Sequence, residues 1–231
     1  MRSKRKVLII FGAGTRLLAP LLDGYARTGT IVRLFRTVEP APKEGCIDIS
    51  SLDDLEPVLV SLEREFEFLD IDFIGAASEY QDTRFSTLSE ETLSRLVKTG
   101  VTDYVYVLRL LLRFMIRSRY GRLVFLSSFR TVNRGIGVSL YAASKSFNET
   151  LFSSLGAEYG RLGIYACSIR MGYFDGRMLD NLRSSRTESP PSLKHADLGG
   201  AEELCSAVQF ALSNKMTNGG VIELCGGLSF E

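Results

Sequence analysis

Histidine is almost missing from this chain, with His195 the only one in 231 residues. A histidine metal cluster therefore has nothing to be built from, and a Ser-His-Asp triad is limited to that one imidazole. No metal site is expected. The four cysteines, Cys46, Cys167, Cys205 and Cys225, are scattered with no Cys-x-x-Cys pair, so reduced core residues are expected. Long apolar runs are missing too. The longest, Tyr104 to Ile116, is interrupted by Arg109 and Arg113 and is too short to span a bilayer. A basic run, Arg2 and Lys4 to Lys6, precedes only a short apolar stretch, Val7 to Phe11; a strand entrance suits it better than a signal peptide. The formal net charge of +1 gives no pull toward nucleic acid or an anionic membrane. A soluble, cytoplasmic protein with neither of those partners is expected.

What is present is an α/β pattern. Hydrophobic residues make up 45% and charged residues 24%, enough apolar material for one full core. Strand-like runs fall near Val7–Phe11, Ile31–Phe35, Cys46–Ile49, Phe68–Ile74, Arg122–Ser127, Ile164–Ile169 and Val221–Leu224. Helical segments lie between them, near Ala19–Arg27, Asp53–Glu65, Thr87–Arg117, Ser139–Tyr159 and Ala201–Ser213. Short apolar strands alternating with helices predict one parallel sheet covered on both faces, with ligands beyond the carboxyl ends of the strands.

Two places along that edge carry chemistry. Gly12 and Gly14 follow the first strand, where glycines let the backbone turn tightly beside a pyrophosphate. A plain strand-to-helix turn would use them as well. Further on, Tyr141 and Lys145 are four residues apart and share a helical face. An ammonium beside a phenol favours the phenolate and predicts a pKa lowered from about 10 toward neutrality, suiting proton transfer. Ser127 and Ser128 close the preceding strand, and Ser128 could donate to an oxygen shared with Tyr141. The plainer role for that serine is to satisfy backbone groups at a strand end.

The stretch from Gly121 to Ser128, followed by Tyr141-Ala-Ala-Ser-Lys145, resembles the catalytic strand and helix of the short-chain dehydrogenase/reductase family, and the likeness runs over essentially the whole chain. It implies a Rossmann-type, doubly wound, three-layer α/β/α domain with Tyr141 as general acid/base, Lys145 on the nicotinamide ribose and Ser128 orienting a carbonyl. By the same resemblance the cofactor is held by Gly12, Gly14, Arg16, Arg36, Asp48, Ile49, Ala76, Ala77, Gly172 and Phe174, with Tyr141 and Lys145. Several positions depart from the family pattern. Arg16 and Leu18 stand where its second and third glycines do, Gly100 where it carries an asparagine, and Met171 where it has proline. An asparagine restored at Gly100 is expected to raise turnover, provided the helix tolerates it.

Arg36 lies where family members that use NAD carry an acid. A guanidinium there suits a 2′-phosphate, so NADP(H) is expected over NAD(H), unless Arg36 is an ordinary surface arginine. Residues 175–200 correspond to a substrate lid, and their mixed charges single out no substrate beyond a small carbonyl or alcohol. The resemblance also implies a homodimer or homotetramer, burying the apolar side of the Thr87–Arg117 helix (Leu108, Leu111, Leu112, Met115). Arg109, Arg113 and Arg117 form a stripe expected to face solvent or intersubunit partners. Two other readings stand beside the reductase: a nucleotide-binding or regulatory protein of the same fold with weak or no redox activity, and a non-redox enzyme using the same tyrosine.

Overall fold

The computed structural model describes residues 4–13, 16–26, 29–34, 45–176, 179–180 and 197–228. Seven strands form one parallel sheet: β1 (Lys4–Phe11), β2 (Thr30–Leu34), β3 (Cys46–Ile49), β4 (Phe68–Gly75), β5 (Gly121–Ser128), β6 (Ile164–Met171) and β7 (Val221–Leu224). Their order is β3-β2-β1-β4-β5-β6-β7. The chain winds outward from β1 to β3, then returns to lay β4 against the other side of β1. That reversal is the switch point at which such sheets open a crevice.

The α-helices lying wholly among the described residues are α1 (Ala19–Ala26), α2 (Leu55–Phe66), α3 (Glu90–Val97), α4 (Asp103–Ser118), α5 (Ser139–Tyr159) and α6 (Ala201–Ser213). Alternation along β1 sorts them into two layers. Val7, Ile9 and Phe11 join a core with residues of α2, α4 and α5, while Leu8 and Ile10 join one with α1 and α6. Buried polar groups also stand within the second face, Arg33 of β2 and Asp72 of β4 among them. The fully buried Asp72 of β4 accepts hydrogen bonds from the hydroxyls of Tyr25 and Tyr120 (2.9 Å for the latter), and Lys6 Nζ lies 3.3 Å away.

The segment read from the sequence as one helix, Thr87–Arg117, has a break in its winding. Ser89 caps α3 by accepting from the Thr92 amide at 3.2 Å, and a π-helical turn, Lys98–Thr102, then joins α3 to α4. Lys98 Nζ bridges that turn to the buried Asp103 carboxylate at 2.6 Å. The arginine stripe on α4 faces solvent, as expected, and two of its members also pair within the chain. Arg113 pairs with Glu56 at 2.8 Å and Arg117 with Glu63 at 2.7 Å, so α2 of the same chain takes those charges. Leu108, Leu111 and Met115 are buried within the domain. No helix among the described residues is long and apolar enough to cross a membrane.

Candidate active site

The carboxyl end of β5 and the first turns of α5 bring Ser128, Tyr141 and Lys145 together, as the sequence expects. All three are buried, at 8%, 4% and 4% exposure. Tyr141 and Ser128 are hydrogen-bonded side chain to side chain. Lys145 Nζ donates to the Leu126 carbonyl at 2.7 Å and lies 4.7 Å from the Phe125 ring centroid and 5.8 Å from that of Tyr141. The start of α5 is fixed from a distance. Gln81 accepts from the amides of Leu140 (3.0 Å) and Tyr141 (3.3 Å), satisfying donors that a helix start leaves open.

The protonation states run against the sequence expectation. Burial raises Tyr141 to about 12; the Ser128 hydrogen bond lowers it, Tyr80 raises it and Arg130 lowers it. Burial pulls Lys145 from 10.5 down to about 7, with the Glu149 charge opposing. Desolvation outweighs the pairing on which a lowered phenol would depend. Near neutrality Tyr141 therefore holds its proton, while Lys145 is poised between charged and neutral.

Glu149 is anchored in turn. It accepts from Ser127 (2.6 Å) and Thr131 (3.2 Å), and pairs at 2.9 Å with Arg170, which also binds Glu223 on β7. Neither Gln81, Glu149 nor Arg130 stands out in the sequence, because each acts across the fold from a segment with no motif of its own.

The turn after β1 is shaped by β4. Gly12 has φ +93°, and a Cβ there would lie 2.3 Å from the Ala77 nitrogen, so close backbone approach requires glycine. Ala76 donates to the Phe11 carbonyl at 2.7 Å, and Tyr104 donates to the Ala77 carbonyl at 2.8 Å. The amides of Gly12 and Ala13 both donate to the Leu34 carbonyl, at 2.9 and 3.0 Å. Leu18, at the third glycine position, is 1% exposed and packs into the core with α1 and α6, so its bulk does not stand over the turn.

The remaining expected positions are dispersed. Arg16 forms an ion pair with Asp180 at 2.8 Å, linking the turn to the segment read as a lid. Asp48 lies within β3 and is held by Arg33 through two bonds of 2.7 Å, while Ile49 is buried in the core. Gly172 packs against the Cys225 backbone, where a Cβ would meet the carbonyl at 2.9 Å, and Phe174 is buried beside α6. Gly14, Arg36 and most of the 175–200 segment lie outside the described residues.

The sequence profile of the short chain dehydrogenases matches residues 43–187, more than half of the chain. The chain belongs to that family. Among curated short-chain dehydrogenase/reductase relatives, it is 24% identical over 189 residues to the 3-oxoacyl-[acyl-carrier-protein] reductase FabG of Vibrio cholerae, covering 80% of this chain and 77% of that one. It is 26% identical to the FabG of Buchnera aphidicola subsp. Schizaphis graminum, with 99% of both chains covered. Solved structures share the architecture at lower identity. ElxO with NADP bound superposes with a TM-score of 0.82 at 16% identity, covering 97% and 98% of the two chains. 4-Hydroxyisoleucine dehydrogenase complexed with NADH gives 0.84 at 15% identity, covering 98% and 99%. The family is one of oxidoreductases using a nicotinamide cofactor, and these two structures hold its two forms.

Proposed function

We propose that the protein is an NADP(H)-dependent reductase of a small carbonyl compound, or the dehydrogenase of the matching alcohol, with Tyr141 as general acid/base. The observation that carries this is the buried Ser128–Tyr141 hydrogen bond with the Lys145 ammonium within 5.8 Å of the phenol ring. The residues fit a nicotinamide nucleotide. Tyr141 and Lys145 stand at one end of the crevice, and the start of the Arg16–Ala26 helical segment faces the other, offering its positive end to a pyrophosphate. Since Leu34 holds the Gly12 and Ala13 amides, Lys145 and the helix start would do most of the holding.

When bound, that cofactor supplies or accepts the hydride. Tyr141 delivers its proton to the carbonyl oxygen as charge grows there, Ser128 donates to the same oxygen, and Lys145 supplies positive charge beneath both. Arg36 supports the NADP(H) preference. The Val105–Ile116 side of α4, with Leu151 and Leu155 of α5, lines a groove of about 300 Å³ that supports a homodimer or homotetramer. The cysteines are all free thiols, which suits a cytoplasmic setting.

Tyr141→Phe should cut turnover by about 10²–10⁴-fold while leaving nucleotide affinity nearly unchanged, read by steady-state kinetics and calorimetry. In the parent protein NADPH should bind more tightly than NADH by about 1.5–3 kcal/mol, and Arg36→Asp should erase that difference. Full activity in Tyr141→Phe on a turned-over substrate would rule the mechanism out, and equal nucleotide affinities would rule out the preference.

A further inference from the structure

We infer that Arg130 is the specificity residue of this site and that the substrate carries an acidic group, a carboxylate or phosphate, close to its reacting carbon. The inference rests on the reductase reading only in taking the Tyr141 cleft as the substrate's place. Arg130 follows Ser128 by two residues, in the connection between β5 and α5, and its amide donates to Ser128 Oγ at 3.3 Å. Its guanidinium lies 4.6 Å from the Phe129 ring centroid and donates to Asn133 Oδ1 at 3.2 Å and to the Tyr173 hydroxyl at 3.4 Å. It is half-buried and close enough to Tyr141 to lower that phenol's pKa.

No carboxylate is among these partners. The contrast with Arg170, one strand away, is informative: that guanidinium is held between Glu149 and Glu223. Among the described residues Arg130 meets no counter-charge, which leaves a half-buried cation with an unmet demand for an anion, and a planar guanidinium is suited to meeting it with two parallel bonds. The surroundings favour a ligand over bulk solvent. Phe129 and Tyr173 meet edge to face at 5.2 Å and pack with Leu179 and Leu228, while Tyr80 packs on the same cluster and against Tyr141 at 5.1 Å. Ser128, Tyr141, Tyr80, Tyr173 and Arg130 are thus linked through this aromatic cluster, with the Arg130 guanidinium beside its rings. The cofactor's own phosphates are a poor match for that charge, since the turn after β1 lies two strands across the sheet, about 10 Å away.

The test uses binding, so it does not depend on turnover. Benzoate, phenyl phosphate and neutral benzamide are titrated into the intact protein by NMR. One of the two anions should bind at least about tenfold more tightly than benzamide, and which one does so separates carboxylate from phosphate. Arg130→Met should bring the three within about twofold of one another, with Arg130→Lys between. In the unaltered protein, the preferred anion should also protect Arg130 from modification by phenylglyoxal, mapped by mass spectrometry. That arm needs no folded variant. Equal binding of the three probes, a preference that survives Arg130→Met, or unprotected Arg130 would overturn the inference. A protein that held the anion at Arg130 yet kept full turnover in Tyr141→Phe would keep this site and lose the proposed chemistry.

Discussion

Lys145 carries a consequence for stability as well as for chemistry. The unfolded chain keeps this proton up to 10.5, whereas the folded chain gives it up near 7. Between those values the unfolded state binds more protons, so the stability attached to this group rises with pH and is lost as pH falls through 7. Thermal unfolding should show the protein gaining on Lys145→Met between pH 7 and pH 10, by at most about 1.4 kcal/mol per pH unit. A constant gap over that range would mean that burial does not depress the amine. Tyr141 and Lys145 were legible in the sequence because a spacing of four marks a shared helix face. Their protonation was not, because it follows from burial by Phe125, Tyr80 and the β5 backbone, groups distant in sequence. Arg130 is close to Ser128 along the chain, yet only folding shows that no carboxylate among the described residues meets it.

Among the elements, the π-helical turn at Lys98–Thr102 departs furthest from a reading by periodicity. Apolar spacing on either side predicts one helix, and an extra residue in a single turn leaves that spacing almost intact. Its effect is to bring Gly100 against α5, where the Gly100 carbonyl accepts from Asn148 Nδ2 at 2.6 Å. A Cβ on Gly100 would stand 2.8 Å from Ser144 Cβ. An asparagine at Gly100 should therefore not raise turnover, since any side chain there pushes the π-helical turn and α5 apart beside Lys145. Gly100→Ala should destabilise the protein by about 1–3 kcal/mol in urea unfolding. Ser144→Gly in the same chain should restore part of that loss, although glycine costs about 1 kcal/mol of helix propensity. Failure of the double variant to recover anything would place the strain elsewhere. The strands were easier to read: short β-branched runs flanked by turns announce themselves, and the start of β1, among the lysines and arginine, is the one that begins well before its apolar residues suggest.

For the whole molecule, the sheet order and the two-layer sorting of helices follow from the alternating strand and helix pattern. The surface used for assembly does not follow from it in detail. Of the four residues expected between subunits, Leu111 and Met115 turn inward, while Leu108 and Leu112 line the groove open to a second copy, beside Val105, 43% exposed, and Ile116, 39% exposed. A homodimer should pair this groove with its symmetry mate, closing an apolar patch that a monomer would leave in water. Val105→Asp with Ile116→Asp should then halve the mass seen by light scattering and lower the melting temperature. An unaltered protein that stays monomeric at all concentrations would exclude that interface.

The carboxylate that receives two phenols, Asp72 with Tyr25 and Tyr120, also governs how the protein looks in a spectrometer. The chain has no tryptophan, so its ultraviolet emission comes from its nine tyrosines. An excited phenol bonded to a carboxylate hands over its proton and returns to the ground state without emitting at the usual tyrosine wavelength. Those two rings should be dark while β4, α1 and the start of β5 stay packed together, and should brighten when the sheet comes apart. Unfolding of the sheet's centre thereby has an optical signal of its own, rising where most proteins' emission fades.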